Sequence, residues 1–212
     1  MKLLTAASRM SMVGLRFSPL SRVSQHWSPV SAGTTSLRRH WNRTRSEHLP
    51  SDDAGAPMNP AFLSWLGSRL NAGTYTPDLV MSSFRAVPDP AFPLIERHDL
   101  DTHPRVMMAR RYRREVRVFS DRDERGLLTI GCSYAGHMEI SFEVRSEHRN
   151  QGLARRLAFV ARSLAPENEP LFAGVSPGNA ASVRALLAAG FRPICSEVVI
   201  IEGGIREARG WV

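Results

Sequence analysis

The sequence has two cysteines, one lysine and no long apolar run. Cys132 and Cys195 are too few for a disulfide framework and lack the spacing of a zinc site. They read as core thiols of a reducing compartment. No run of 18 or more apolar residues occurs, which excludes an ordinary transmembrane helix. Lys2 stands alone against 27 arginines. That imbalance reads as the codon bias of a GC-rich genome and carries no information about fold.

Acidic residues are absent from residues 1–46, which carry Lys2, Arg9, Arg16, Arg22, Arg38, Arg39, Arg43 and Arg45. Residues 47–212 carry 20 arginines and 20 acids, so the net charge of +8 belongs wholly to the N-terminal segment. A nucleic-acid-binding domain keeps its basic excess on the folded part. The balanced remainder therefore gives no expectation of a nucleic-acid partner, and none of a membrane. What is present is ordinary: 42% hydrophobic and 23% charged residues over 212 positions. Such a chain folds as one domain, or as one domain with an extension.

Residues 1–57 are rich in Ser, Thr and Arg and lack a sustained hydrophobic period. A transit peptide has that composition, whereas a secretory signal fits badly because no clean apolar stretch precedes a small-residue cleavage site. The third reading is a basic, disordered extension read from an upstream start. From Met58 the composition turns globular. The expected division is an extension over 1–57 and a folded domain over 58–212. A cytoplasmic location is expected, with an organelle as the alternative if the leader is a transit peptide.

Within the domain, Phe62, Leu63, Leu66 and Leu70 recur at helical spacing and predict a helix near 60–71. Residues 72–102 read as loops with short elements. Residues 104–114 are compatible with helix or strand. Val116–Ser120 reads as a strand. Leu127–Cys132 and His137–Val144 form a hairpin signature around a Gly-containing connection. In its second arm Met138, Ile140, Phe142 and Val144 alternate with Glu139, Ser141, Glu143 and Arg145. Leu153, Leu157, Val160, Ala161 and Leu164 define one helix face. Leu171–Val175 reads as a buried strand. Asn179 caps a helix that ends near Gly190, and a last strand follows. This order gives an α/β (α+β) domain whose mixed sheet carries helices on its faces.

The segment Arg149-Asn150-Gln151-Gly152-Leu153-Ala154 lies between a strand and a helix. Helix N-termini have unpaired N–H groups and a partial positive charge. Gly152 and Ala154 leave room for an anion to approach those amides, and Arg149, Arg155 and Arg156 are placed to add charge-assisted contacts. The arrangement suits a diphosphate. The structural alternative is a tight turn that needs positive φ and nothing more.

This segment resembles the R/Q-x-x-G-x-G/A acyl-CoA loop of the GCN5-related N-acetyltransferases (GNAT), with Arg149, Gly152 and Ala154 at its defined positions. The run from Asn179 to Gly190-Phe191 is similar to the family's second motif, at the family's spacing. The resemblance covers about residues 115–201. It implies a central, twisted, mostly antiparallel sheet and a pantetheine arm between the strand ending at Glu143 and Val144 and the strand Leu171–Val175. It also implies a diphosphate on the amides of Gln151, Gly152, Leu153 and Ala154, with Arg149, Asn150 and Asn179 as further cofactor-binding residues. The implied reaction is direct acetyl transfer from acetyl-CoA to an amine.

The chain departs from the pattern at Leu186, where many members carry a tyrosine general acid. Glu139 and Glu143 are base candidates on one strand face, although strand carboxylates are commonly just solvated. His137 reads as a surface turn residue, and His148 as exposed but near enough to the loop for a phosphate contact. Ser182 and Cys195 have no readable base beside them, so a covalent route gains no support. Two other classes stay open. One is an acyl-CoA-binding module with weak or no catalysis, motivated by Leu186. The other is an interaction protein acting through its basic N-terminus. Acceptor identity is beyond the sequence, and homodimer formation through a sheet edge is open.

Overall fold

The computed structural model describes residues 12–17, 29–30, 58–74, 76–133 and 136–202. The chain divides into two compact units, residues 1–17 with 26–76 and 198–212, and residues 18–25 with 77–197.

In the first unit, strand β1 (Met12–Phe17) pairs antiparallel with β2 (Pro29–Val30). The rest of the expected extension over 1–57 lies outside the described residues. Helix α1 (Pro60–Leu70) forms where the apolar spacing predicts it. Pro60 fits the first helical position, and the Asn59 side chain accepts from the Ala61 amide. Asn71 ends the helix in the left-handed conformation. Phe62, Leu63 and Leu66 pack on Val198 and Ile200. Strand β3 (Ala72–Thr74) pairs antiparallel with residues 200–202 of a strand that starts at Arg192.

The second unit opens with β4 (Asp78–Ser83), within the stretch read from sequence as loops with short elements. It is a central strand, paired antiparallel on one side with β9 (Leu171–Val175) and on the other with β10 (Arg192–Glu202). Val80 and Met81 point to opposite faces and are both buried, so the strand shows no polar alternation. β5 (Ile95–Glu96) is a short edge piece. Residues 104–114, open between helix and strand, divide: α2 (Pro104–Tyr112) is helical, and β6 (Arg113–Ser120) begins at once.

The hairpin forms as expected from β7 (Gly126–Ser133) and β8 (Met138–Val144), in antiparallel register from Gly126 with Val144 to Cys132 with Met138. Tyr134 and Ala135 of its connection lie outside the described residues. Helix α3 (Leu153–Ala161) continues as a short 3-10 turn, Arg162–Leu164, and α4 (Ala180–Ala188) follows β9. The strand order is β10-β4-β9-β8-β7-β6-β5, antiparallel throughout except for the parallel pair β8–β9.

Ala158 and Ala161 of α3 and Leu186 of α4 pack with Met81, Leu128, Ile130, Ile140 and Ala173 on one face of the sheet. Val106 of α2 packs with Val118 and Leu127 on the other. The expected mixed, mostly antiparallel α/β sheet with helices on both faces is therefore the observed architecture. Gly126 lies so close to α3 that a Cβ there would fall 2.5 Å from Leu157 Cδ1. That absent side chain sets how near the helix approaches the β7–β8 hairpin.

Candidate active site: a cleft through the sheet

The parallel pairing of β8 and β9 covers only Glu139 with Phe172 and Ile140 with Ala173. Beyond Ile140 the two strands part, since β8 runs on to Val144 without a partner on β9. A cleft of about 810 Å³ occupies the gap. Ser141, Phe142 and Val144 line one wall, and Ala173, Gly174 and Val175 the other. Period-two alternation makes neighbouring residues of each strand face opposite sides, so the opening passes through the sheet.

The cleft runs to the start of α3. Asn150 (φ 61°) and Gly152 (φ 77°) both take left-handed backbone conformations and fold the chain sharply into the helix. Gly152 is the residue type that adopts this conformation at little cost. It also occupies the N-cap position without a side chain to offer, so no side chain caps the helix, and no acidic residue lies in the first turn. The first-turn amides and the positive end of the helix dipole are left for an external anion. A Cβ at Gly152 would meet nothing within 4 Å, which describes open space beside those amides.

Of the sequence-derived residues, Glu143, Val144, Arg149, Asn150, Gly152, Leu153, Ala154 and Asn179 all line the cleft. The Gln151 side chain turns away and donates to the Glu147 carbonyl at 3.2 Å. Arg149 Nε donates to the Val144 carbonyl at 3.2 Å, which ties the loop to the end of β8. The Asn179 side chain accepts from the Ser182 amide at 3.1 Å, as a helix cap. Arg105, Arg155 and Arg184 add positive charge to the lining, and His148 also borders the cleft.

The two glutamates have different surroundings. Glu143 lines the cleft and accepts from Arg105 Nε at 3.2 Å. Glu139 is held by Arg113 Nη2 at 2.6 Å, and the same guanidinium donates to Thr129 and Ser141. Leu186 is 1% exposed and belongs to both the apolar core and the cleft wall. The His137 ring stacks on Phe172, with centroids 4.7 Å apart.

Sequence reasoning missed Asp78 at the start of β4. Burial, and then the charges of Glu197 and Glu139, push its carboxyl up to about 6. Asp78 pairs with Glu197 across β4 and β10. Its Oδ2 lies 3.8 Å from where a Gly174 Cβ would stand. No local signal marks it, because the groups that define its surroundings come from other strands.

Among the described residues, no cluster of His, Cys, Asp or Glu could hold a metal ion, and no helix is long and apolar enough to cross a membrane.

No protein-family model matches the chain, and no curated protein does. Solved structures do. A GCN5-related N-acetyltransferase from Kribbella flavida is 15% identical, with 71% of this chain and 67% of that chain covered and a TM-score of 0.46. A GNAT-family acetyltransferase from Colwellia psychrerythraea is 14% identical, with coverage of 68% and 62% and a TM-score of 0.42. A conserved protein of unknown function from Staphylococcus epidermidis is 13% identical, with coverage of 87% and 86% and a TM-score of 0.43. The chain spans 66% of a GNAT-family protein from Novosphingobium aromaticivorans and 62% of the Colwellia protein, under two thirds of either.

Proposed function

We propose that the cleft binds an acyl-CoA thioester and that the domain is an N-acetyltransferase of the GNAT type, moving an acetyl group from acetyl-CoA to an amine. The observation that carries this reading is the continuity of two features. A parting between β8 and β9 leads into an uncapped helix N-terminus that starts at Gly152. An extended amide-bearing arm fits the parted strands, where it can use backbone groups that have no partner strand. A diphosphate fits the amides of α3, with Arg155 and Arg184 near enough to reach further phosphate oxygens. Asn179 borders the arm from the start of α4.

In this reading the amine loses a proton, its nitrogen attacks the thioester carbonyl, and the carbon–sulfur bond breaks. Leu186 cannot protonate the departing sulfur. CoA thiolate is a tolerable leaving group near neutral pH, since thiols titrate at about 8.5. Of the two glutamates only Glu143 borders the cleft, and it accepts from Arg105. Glu139 is committed to Arg113.

Leu186 favours a second reading as well, a domain that binds acyl-CoA without efficient turnover. One experiment separates the two. Acetyl-CoA is titrated calorimetrically into the protein and into Gly152→Glu, and thiol release is followed with a panel of primary amines. Micromolar binding lost in the variant, with amine-dependent thiol release by the wild type, supports the enzyme. Binding without release supports the module. No binding by the folded wild type contradicts both.

A further inference from the structure

We propose that the acceptor amine enters from the sheet face opposite α3 and α4, where Asp78 binds its ammonium group and takes its proton; this rests on the acyl-CoA reading of the cleft. Gly174 sits in the middle of the sheet between β4 and β8, yet it is solvent-exposed. It also lines the cleft. The cleft therefore reaches that face at the one position of β9 that has no side chain to block it. Asp78 Oδ2 stands beside this position, within 3.8 Å of the missing Cβ. A thioester arm lying between β8 and β9 places its carbonyl where the strands meet, near Ile140 and Ala173. The α3–α4 side of the cleft carries Arg155, Arg184 and Asn179 beside Leu153 and Leu186, a positively charged lining that suits phosphates and repels an ammonium, so the amine approaches from the Gly174 side.

The electrostatics of that face fit a cation. Asp78 and Glu197 are direct cross-strand partners on β4 and β10, and Glu139 on β8 adds a third carboxylate within electrostatic range. Like charges opposite one another cost free energy in a sheet. Arg113, reaching from β6, neutralises Glu139. Among the described residues no ion pair is formed by Asp78. A bound ammonium offsets the repulsion. Burial and the two carboxylates raise Asp78 to about 6, close to the range in which a general base works at neutral pH.

The step balances as follows. R–NH3+ gives one proton to the Asp78 carboxylate and becomes R–NH2. The nitrogen lone pair forms the C–N bond to the thioester carbonyl carbon. The C–S bond breaks, and the second nitrogen proton goes to the thiolate by way of solvent. The products are the N-acetyl amine and CoA thiol, and Asp78 returns its proton to water. Glu197, the cross-strand partner of Asp78, adds negative charge beside the cation and takes no proton.

The test uses the full chain, 1,4-diaminobutane as the probe and 1,4-butanediol as its uncharged control. Calorimetry without acetyl-CoA measures diamine binding by wild type, Asp78→Asn and Asp78→Glu. Acetyl transfer to the diamine is followed from pH 5 to 9, and acetyl-CoA affinity is measured separately. The expected result is diamine binding by wild type and no diol binding. Asp78→Asn then binds diamine at least tenfold more weakly, and Asp78→Glu recovers most of the affinity. Acetyl-CoA affinity stays unchanged across the three, while the acidic limb of kcat/KM near pH 6 disappears in Asp78→Asn. Equal diamine binding by wild type and Asp78→Asn, or none by wild type, overturns the proposal. So does a limb that survives the substitution. Loss of acetyl-CoA binding by wild type with diamine binding intact overturns the cofactor reading and leaves the cation site standing.

Discussion

Asp78, half-buried, and Asp121, buried, are carboxylates with opposite consequences for stability. Asp78 has a folded-state value near 6 against an ordinary 3.8. A raised carboxyl contributes stability fully below the unfolded value and loses it as pH rises through the folded value. Asp78 therefore disfavours the fold above about pH 6. Asp78→Asn is expected to melt about 2–4 °C higher than wild type at pH 8 and level with it near pH 4. A pH series of thermal unfolding checks both ends. Asp121 is 1% exposed. Burial pushes its carboxyl up, but Arg125 and the Gly126 amide, both at 2.8 Å, outweigh this and hold it below the ordinary value. Its contribution is present above the unfolded value and lost as pH falls through the folded one. Asp121→Ala also leaves the Gly126 amide without its acceptor, and is expected to cost about 1–3 kcal/mol in denaturant unfolding at pH 7.

The elements differ in how far the sequence foretold them. The α3 loop was readable because its signals are local: a glycine where φ is positive, then Leu153, Leu157, Val160 and Ala161 on one helix face. The β7–β8 hairpin was readable for the same reason, through alternation and a short connection. β4 was not. Its Val80 and Met81 are buried on opposite faces, Ser82 and Ser83 break any apolar run, and its partners are the distant β9 and β10. The candidate site divided along the same line. Most of the cleft wall around Gly152 follows from one motif, while the surroundings of Asp78 depend on contacts among three strands. Glu139 and Glu143 are equivalent in the alternation of β8 and differ through Arg113 and Arg105, which come from other elements. The packing of α3 on β7 offers a direct check. Gly126→Ala drives a methyl group toward Leu157 Cδ1. It is expected to destabilise the protein by about 1–3 kcal/mol, as overpacked cores do, and Leu157→Val in the same chain should recover part of the loss.

At the scale of the whole molecule, the cleft joins distant parts of the chain from β8 to α4, so a ligand that bridges them should stabilise the native state. With acetyl-CoA at 100 times its dissociation constant, the gain is about 2.7 kcal/mol. For a chain of 212 residues this corresponds to about 5–10 °C in melting temperature. Gly152→Glu should abolish the gain, since it sets a carboxylate beside the amides of α3 and forces a side chain onto a backbone with φ of 77°. The most direct measurement is the crystal structure of the acetyl-CoA complex. The diphosphate is expected on the amides of residues 151–154 and the pantetheine arm between β8 and β9, with the acetyl carbonyl at the level of Ile140 and Ala173. A cofactor seated elsewhere, or a gap between β8 and β9 that stays empty at saturating acetyl-CoA, would contradict it.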